Sequence, residues 1–300
     1  MRGSLRILAP AKVNLVLSVG ARQADGYHEV RTVLQAISLW DSIHITARNT
    51  LTVCCSDPRI EDGPTNLAWR AAEALRRAAR LDSGACIRVR KGIPAEAGLG
   101  GGSSDAAATL VGCNRLWGLH WPLGRLTELA AGLGADVPFF LAGGTVLGEG
   151  RGDRLTPLRA LPAWPVVVAC PTLGSPTGAA YAALDSLEHR SCPAIEGVIA
   201  ECLRGPTVRS RVARLRLATV MANSFEDALL PLRPDMAALR LRLRSAGAVG
   251  ALISGSGAAV WALAPSLRRA DAIANQLRNE GIWAKTARFE AGGVRVVAQR

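Results

Sequence analysis

Apolar residues recur along this chain with two periods: every second residue in some runs, every third or fourth in others. In the first half, alternating runs predict strands at 5–8, 13–19 and 33–46, the last of them the clearest. Helical spacing then predicts a helix over 65–79, with Asn66 near its start. A strand at 85–91 and helices over 103–117 and 122–132 follow, then a turn-rich segment at 143–152. Prolines 157, 162 and 165 mark a boundary. Beyond it the pattern predicts a strand at 165–170, helical segments at 176–187, 193–203 and 224–230, and a helix over 234–246. Strands at 249–254 and 258–263, a helix over 266–280 and a strand at 282–289 complete the chain. The main elements of this half run β-α-β-β-α-β with helical insertions, which is the ferredoxin-like order. The expectation is an α+β chain of two domains, 1–160 and 161–300.

Between the strand at 85–91 and the helix after it lies Pro94-Ala95-Glu96-Ala97-Gly98-Leu99-Gly100-Gly101-Gly102-Ser103-Ser104-Asp105. Its glycines let the backbone approach a ligand closely. Ser103, Ser104 and Asp105 are natural helix caps, so the loop aims unpaired N–H groups and a helix dipole at one point. That is the construction of an anion site, and the usual anion is a nucleotide phosphate. It is not a Walker A loop, because no lysine follows Gly102. Nor is it a dinucleotide fingerprint, because serine stands where the third glycine belongs and no acid ends a second strand about 20 residues on. A second small-residue turn, Ser254-Gly255-Ser256-Gly257, is either a tight hairpin turn or a backbone surface that meets the first loop across a domain cleft.

With 300 residues, nearly half of them apolar and a fifth charged, the chain is globular and has ample core. Seven cysteines without a C-x-x-C pair predict reduced thiols rather than a disulfide framework or a zinc site. No signal peptide is legible, and the most apolar window, 130–148, contains Asp136, Pro138 and several glycines. The expectations are therefore a cytoplasmic protein and no membrane partner. A net charge of +12 raises nucleic acid as a partner. An RNA-binding protein would interleave aromatics with basic clusters. Here the clusters, 204–216 and 240–244, lie far from both tyrosines, so no nucleic acid is expected; the charge favours a polyanionic small substrate. Only three of the 36 basic residues are lysine (Lys12, Lys91 and Lys285). A compact ammonium serves a tight site where a guanidinium fork does not fit, so Lys12 and Lys91 are candidates.

Pro10-Ala11-Lys12-Val13-Asn14-Leu15, Asp25-Gly26-Tyr27-His28, the glycine loop, Gly134-Ala135-Asp136-Val137-Pro138-Phe139-Phe140 and Ile253-Ser254-Gly255-Ser256-Gly257 together resemble the GHMP superfamily of small-molecule kinases. The resemblance runs from about residue 8 to 263 and is weakest at 190–217. It implies an N-terminal domain like domain 2 of ribosomal protein S5, a ferredoxin-like C-terminal domain, and ATP with Mg2+ bound between them. It implies phosphorylation of a small alcohol carrying a cytidine diphosphate moiety, a step of non-mevalonate isoprenoid synthesis, by a monomer or homodimer.

By residue type Asp136 is a helix cap; by resemblance it is the base that takes the substrate hydroxyl proton, paired with Lys12. The nucleotide falls to Asn66, Lys91, Pro94, Gly98, Leu99, Gly100, Gly101, Gly102, Ser103 and Ser104, with Ser104 the candidate magnesium ligand and Asp105 a cap. Glu96 faces solvent or helps hold the metal. Tyr27 and Tyr181 would sandwich the cytosine, whose edge His28 reads. Asn14 would hold the polyol hydroxyls, and Thr177, after Ser175-Pro176, a phosphate or hydroxyl.

Overall fold

The first alternating runs fold as one long strand rather than two. β1 (Ser4–Arg22) pairs antiparallel with β2 (His28–Arg48), and register shifts at Pro10/Ala11, Asn14/Val16 and Val19/Arg22 bend the pair. The first bulge falls where β1 passes from one hydrophobic core to the other. Ile7 and Ala9 belong to the first core, and Ala11, Val13 and Leu15 to the second. Proline 10 therefore interrupts neither the strand nor its burial; residues 9–17 are all buried. The computed structural model describes residues 4–171, 176–187, 194–203 and 211–297.

The first half continues with β3 (Thr52–Cys55), α1 (Leu67–Ala78), β4 (Gly84–Arg90), α2 (Gly101–Leu116), α3 (Leu123–Ala131) and α4 (Val137–Ala142). The turn-rich segment expected at 143–152 contains β5 (Thr145–Glu149), which forms a hairpin with β6 (Arg154–Pro157) just beyond it. Its glycines serve the strand ends, and β5 pairs with β2. Helices α1, α2 and α4 cover one face of this sheet and bury Ala71, Leu75, Ala107, Leu110, Phe139 and Phe140 against it.

The second half contains β7 (Pro165–Cys170), α5 (Thr177–Asp185), α6 (Glu196–Leu203), α7 (Arg211–Val220), β8 (Ala222–Asn223), α8 (Phe225–Leu232) and α9 (Pro234–Ser245). It ends with β9 (Gly250–Ile253), β10 (Val260–Leu263), α10 (Leu267–Asn279), β11 (Trp283–Arg288) and β12 (Arg295–Val297). The spatial order β11-β7-β10-β9, all pairs antiparallel, is that of a ferredoxin-like sheet.

The two halves are sewn together at several points. β8 adds parallel to β1, and β12 returns to the other sheet to pair with β1 at Arg6, Ile7 and Leu8. Just before β12, the Val294 N–H donates to the Phe140 carbonyl at the end of α4. A Cβ on Gly293 would lie 2.1 Å from that same carbonyl oxygen, so only glycine permits the approach.

Candidate active site

Lys12 and Asn14 lie two residues apart on β1 and so share a face. Lys12 Nζ donates to Asn14 Oδ1 (2.8 Å), Asn14 Nδ2 donates to Thr32 Oγ1 (2.8 Å), and the Thr32 hydroxyl donates to the Val16 carbonyl (2.7 Å). All three side chains are buried. The relay fixes the ammonium from behind, and Thr32, an ordinary strand residue by type, was not a sequence candidate. Asn14 keeps one lone pair and one N–H for a ligand. Burial lowers the pKa of Lys12 below the ordinary lysine value, and the nearby charge of Asp136 opposes that shift. The expected Lys12–Asp136 pairing is thus a through-space interaction; the direct partner of the ammonium is Asn14.

Asp136 immediately precedes α4 but makes no side-chain cap bond, and Pro138 occupies the first turn. Its carboxylate is half-buried on the wall of a cleft of about 600 Å³. The same cleft is lined by Lys12, Asn14, Asn66, Lys91, Pro94, Gly98 to Ser103, Asp105, Thr177 and Tyr181. The glycine loop is held on two sides. The Lys12 N–H donates to the Leu99 carbonyl (3.0 Å), the Ala259 N–H donates to Ala97 (3.1 Å), and the Ser254 hydroxyl donates to Gly98 (2.9 Å). A Cβ on Gly98 would sit 1.9 Å from the Ser254 carbonyl oxygen. Both readings of Ser254–Gly257 are realised: the segment is the tight turn between the antiparallel strands β9 and β10, closed by the Gly257 N–H donating to Ser254 (2.9 Å), and it also approaches the glycine loop. Asn223 supports that turn by donating to the carbonyls of Ile253 (2.9 Å) and Gly255 (2.8 Å).

The helix cap differs from the expectation. Gly100, with φ of 71°, stands at the N-cap and α2 begins at Gly101, two residues early. A Cβ on Gly100 would meet the Phe140 ring at 2.6 Å, so glycine lets the helix start against that ring. The first N–H groups of α2, on Gly101, Gly102 and Ser103, have no intrahelical partner and belong to residues lining the cleft. Ser104 and Asp105 are drawn inside. Ser104 is fully buried and does not line the cleft, and its Oγ has no hydrogen-bond partner among the described residues; Asp105 caps nothing. Asp105 does line the cleft, and its Oδ1 has no hydrogen-bond partner among the described residues.

Lys91 is the other departure. Its Nζ lies 2.5 Å from Asp41 Oδ2 and 2.7 Å from Asp105 Oδ2. Burial works against the charge on Lys91, but the Asp105 and Asp41 carboxylates outweigh it and hold the ammonium above its ordinary pKa. Burial drives the Asp105 carboxyl well above the usual carboxylate range, against the pull of Lys91. Lys91 is therefore engaged by two carboxylates while still lining the cleft. Asn66 is likewise engaged, capping α1 through the Ala68 N–H (2.9 Å) while still lining the cleft. Glu96 is exposed, with φ of 50°.

A second cavity of about 530 Å³ adjoins the cleft and shares Val30, Arg151 and Tyr181 with it. Tyr27, His28 and Asp185 line its far side. Asp25 accepts from the Tyr27 N–H (3.0 Å), an Asx turn that leaves the Tyr27 ring 54% exposed. Arg151, from the β5–β6 turn, lies 3.6 Å from the Tyr27 ring centroid and bonds Asp25. Tyr181 stands edge-on to Phe225 and 5.1 Å from the His28 ring. Burial, and then the Asp136 charge, raise the Tyr181 pKa. The two tyrosines line one cavity without touching. His28 is buried, its Nδ1 3.0 Å from the Gly20 carbonyl and its Nε2 3.3 Å from Asp185, so both ring nitrogens have protein partners. Thr177 Oγ1 lies 3.2 Å from Ser256 Oγ at the mouth of the cleft; Ser175 lies outside the described residues. Arg151, Asp185, Thr32 and Asn223 were not legible in the sequence, because only tertiary folding brings them to the site.

Residues 66–144 match the GHMP kinases N terminal domain, and residues 211–282 match GHMP kinases C terminal. The chain is 40% identical to 4-diphosphocytidyl-2-C-methyl-D-erythritol kinase of Geobacter metallireducens, over 93% of this chain and 96% of that protein. It is similar to a crystal structure of 4-(cytidine 5'-diphospho)-2C-methyl-D-erythritol kinase, with a TM-score of 0.78 and 37% identity, covering 96% of this chain and 99% of the other. A homoserine kinase from Cytophaga hutchinsonii superposes with a TM-score of 0.77 at 21% identity, over 99% of this chain and 98% of the other; that likeness shows a shared fold alone.

Proposed function

The chain belongs to the 4-diphosphocytidyl-2-C-methyl-D-erythritol kinase family of GHMP kinases, and we propose that it transfers the γ-phosphate of ATP to the 2-hydroxyl of 4-diphosphocytidyl-2-C-methyl-D-erythritol, with Asp136 taking the hydroxyl proton. The step belongs to the non-mevalonate synthesis of isoprenoid precursors, in the cytoplasm. Among the described residues no helix is long and apolar enough to cross a membrane.

The observation that carries this reading is the pair of adjoining cavities, with Asp136 and Lys12 on the wall of one and two tyrosines in the other. Phosphoryl transfer asks the protein for positioning and charge stabilisation more than covalent chemistry. The N–H groups at the start of α2 receive the phosphates of ATP. Lys12 stabilises charge on the transferring group, and Asn14 orients the acceptor hydroxyl. Magnesium, when bound, would supply positive charge that offsets the phosphates. Asp105 Oδ1, on the cleft wall, and Ser104 Oγ beside it in the chain are buried oxygens without hydrogen-bond partners among the described residues, and would be the protein atoms that hold the cation.

An ATPase-coupled screen of alcohols with and without a cytidylyl group tests the reading. Turnover is expected only with the cytidylyl substrate; comparable turnover of homoserine, mevalonate or the bare polyol would overturn it. Tyr27→Ala and Tyr181→Ala are each expected to weaken the cytidylyl substrate by about 1–3 kcal/mol, the scale of base stacking, and to leave ATP unaffected. Tyr181→Phe keeps the ring and is expected to be nearly silent. Substrate titration at saturating ATP, then the reverse, separates the two pockets. Loss of ATP binding in the tyrosine variants would mean that the two nucleotides are assigned to the wrong cavities.

A further inference from the structure

Asp41 is fully buried on β2 and does not line the cleft, and yet it ties the two ends of the glycine loop together. Its Oδ1 accepts from two successive backbone groups, the N–H of Gly92 (2.6 Å) and of Ile93 (2.9 Å), at the entrance to the glycine loop. Its Oδ2 binds Lys91 Nζ, and that same ammonium reaches Asp105 Oδ2 in the first turns of α2, at the exit of the loop. Entrance and exit are thus tied to one carboxylate. A Cβ on Gly101 would lie 3.1 Å from Lys91 Nζ, so the ammonium sits against the first residue of α2.

We propose that Asp41 is a positioning residue for nucleotide binding: through Gly92, Ile93 and the Lys91–Asp105 bridge it fixes both ends of the glycine loop, so that the first N–H groups of α2 converge before ATP arrives. The inference rests on the reading of this loop as the ATP phosphate site, and it recasts Lys91 as a strut rather than a phosphate ligand.

The chemistry of the cluster supplies a discriminating sign. Asp41 carries a negative charge close to where phosphates bind, so on Coulombic grounds alone its removal strengthens ATP binding. A positioning role demands the opposite. Asp41→Asn leaves a single acceptor oxygen and places an NH2 group against either Lys91 or the Gly92 and Ile93 N–H groups; a donor faces a donor in both orientations. Leaving such buried groups unpaired is expected to weaken ATP binding by about ten- to a hundredfold.

The experiment is calorimetric titration of the wild type, Asp41→Asn and Asp105→Ala with ATP in EDTA, where loss of a metal ligand plays no part. Each protein is also titrated with 4-diphosphocytidyl-2-C-methyl-D-erythritol, and its thermal melting is recorded. The expected result is weakened ATP binding in both variants with the cytidylyl substrate bound as in the wild type. Asp105→Ala cuts the same bridge at its far end and carries the test if Asp41→Asn does not fold. Unchanged or tighter ATP binding in a folded variant overturns the proposal. Equal weakening of both ligands, or failure of both variants to fold, overturns it too by assigning the cluster to general stability. A wild type that binds no ATP would instead remove the underlying reading of the loop.

Discussion

Asp136→Asn is expected to lower turnover by about 10²–10⁴-fold while ATP and the cytidylyl substrate bind within a few-fold of wild type. The carboxylate stands at the start of α4 with no cap bond to occupy it, on the wall of the cleft that also holds Lys12 and the glycine loop. The amide is nearly isosteric, so packing of α4 on α2 is preserved, but it cannot accept the proton of the acceptor hydroxyl. The measurement is single-turnover phosphoryl transfer with both ligands saturating. Turnover within a few-fold of wild type would remove Asp136 as the base.

Lys12→Arg is expected to be nearly as damaging, by about 10²–10³-fold, the scale of losing one preorganised charge stabiliser. The lysine side chain runs between two glycines. Its Cγ would be 3.2 Å from a Cβ on Gly100, and its Nζ 3.3 Å from a Cβ on Gly255. A planar fork does not fit that slot, and it would also displace the Asn14–Thr32 relay. The pH profile offers an independent check. Because burial lowers the Lys12 pKa, its proton is lost earlier as pH rises, so activity is expected to fall on the alkaline side before the ordinary lysine range. Asp136 opposes that shift, so the residual activity of Asp136→Asn is expected to fall at lower pH still. An alkaline limb at or above the ordinary lysine range would mean that Lys12 does not govern it.

The motifs that could be read from the chain are those in which local sequence sets local geometry. Gly98 to Gly102, Asp25-Gly26-Tyr27-His28 and the residues around Asp136 carry their turns and helix starts with them, and all arrive at the two cavities. The ferredoxin-like half was legible for the same reason, since its strands and helices alternate with clear periods. What failed was whatever depended on a neighbour distant in sequence. Ser103 to Asp105 look like helix caps until the Phe140 ring, packed on Gly100, sets the start of α2 at Gly101. The contact of Lys91 with Asp41, 50 residues earlier, carries no signal in the sequence around either residue. Arg151 carries no local signal among so many arginines; only the β5–β6 hairpin delivers it to Tyr27. The chain reads as separate strands at 5–8 and 13–19, but the bulge at Pro10/Ala11 lets β1 run on into the second core.

The return of β12 to β1 has a consequence for how the chain is made. The register of β1 against β12 joins Arg6, Ile7 and Leu8 to residues synthesised about 250 positions after β2 has been completed. At about 5–20 residues per second of translation, the nascent N-terminal sheet waits roughly 12–50 s with that stretch of its edge unpaired. An open edge is a template for adventitious pairing. The support that Gly293 and Val294 give to the end of α4 is supplied in the same final interval. On the ribosome, the helix that presents Asp136 is thus among the last parts of the fold to be secured, although it is encoded before the midpoint.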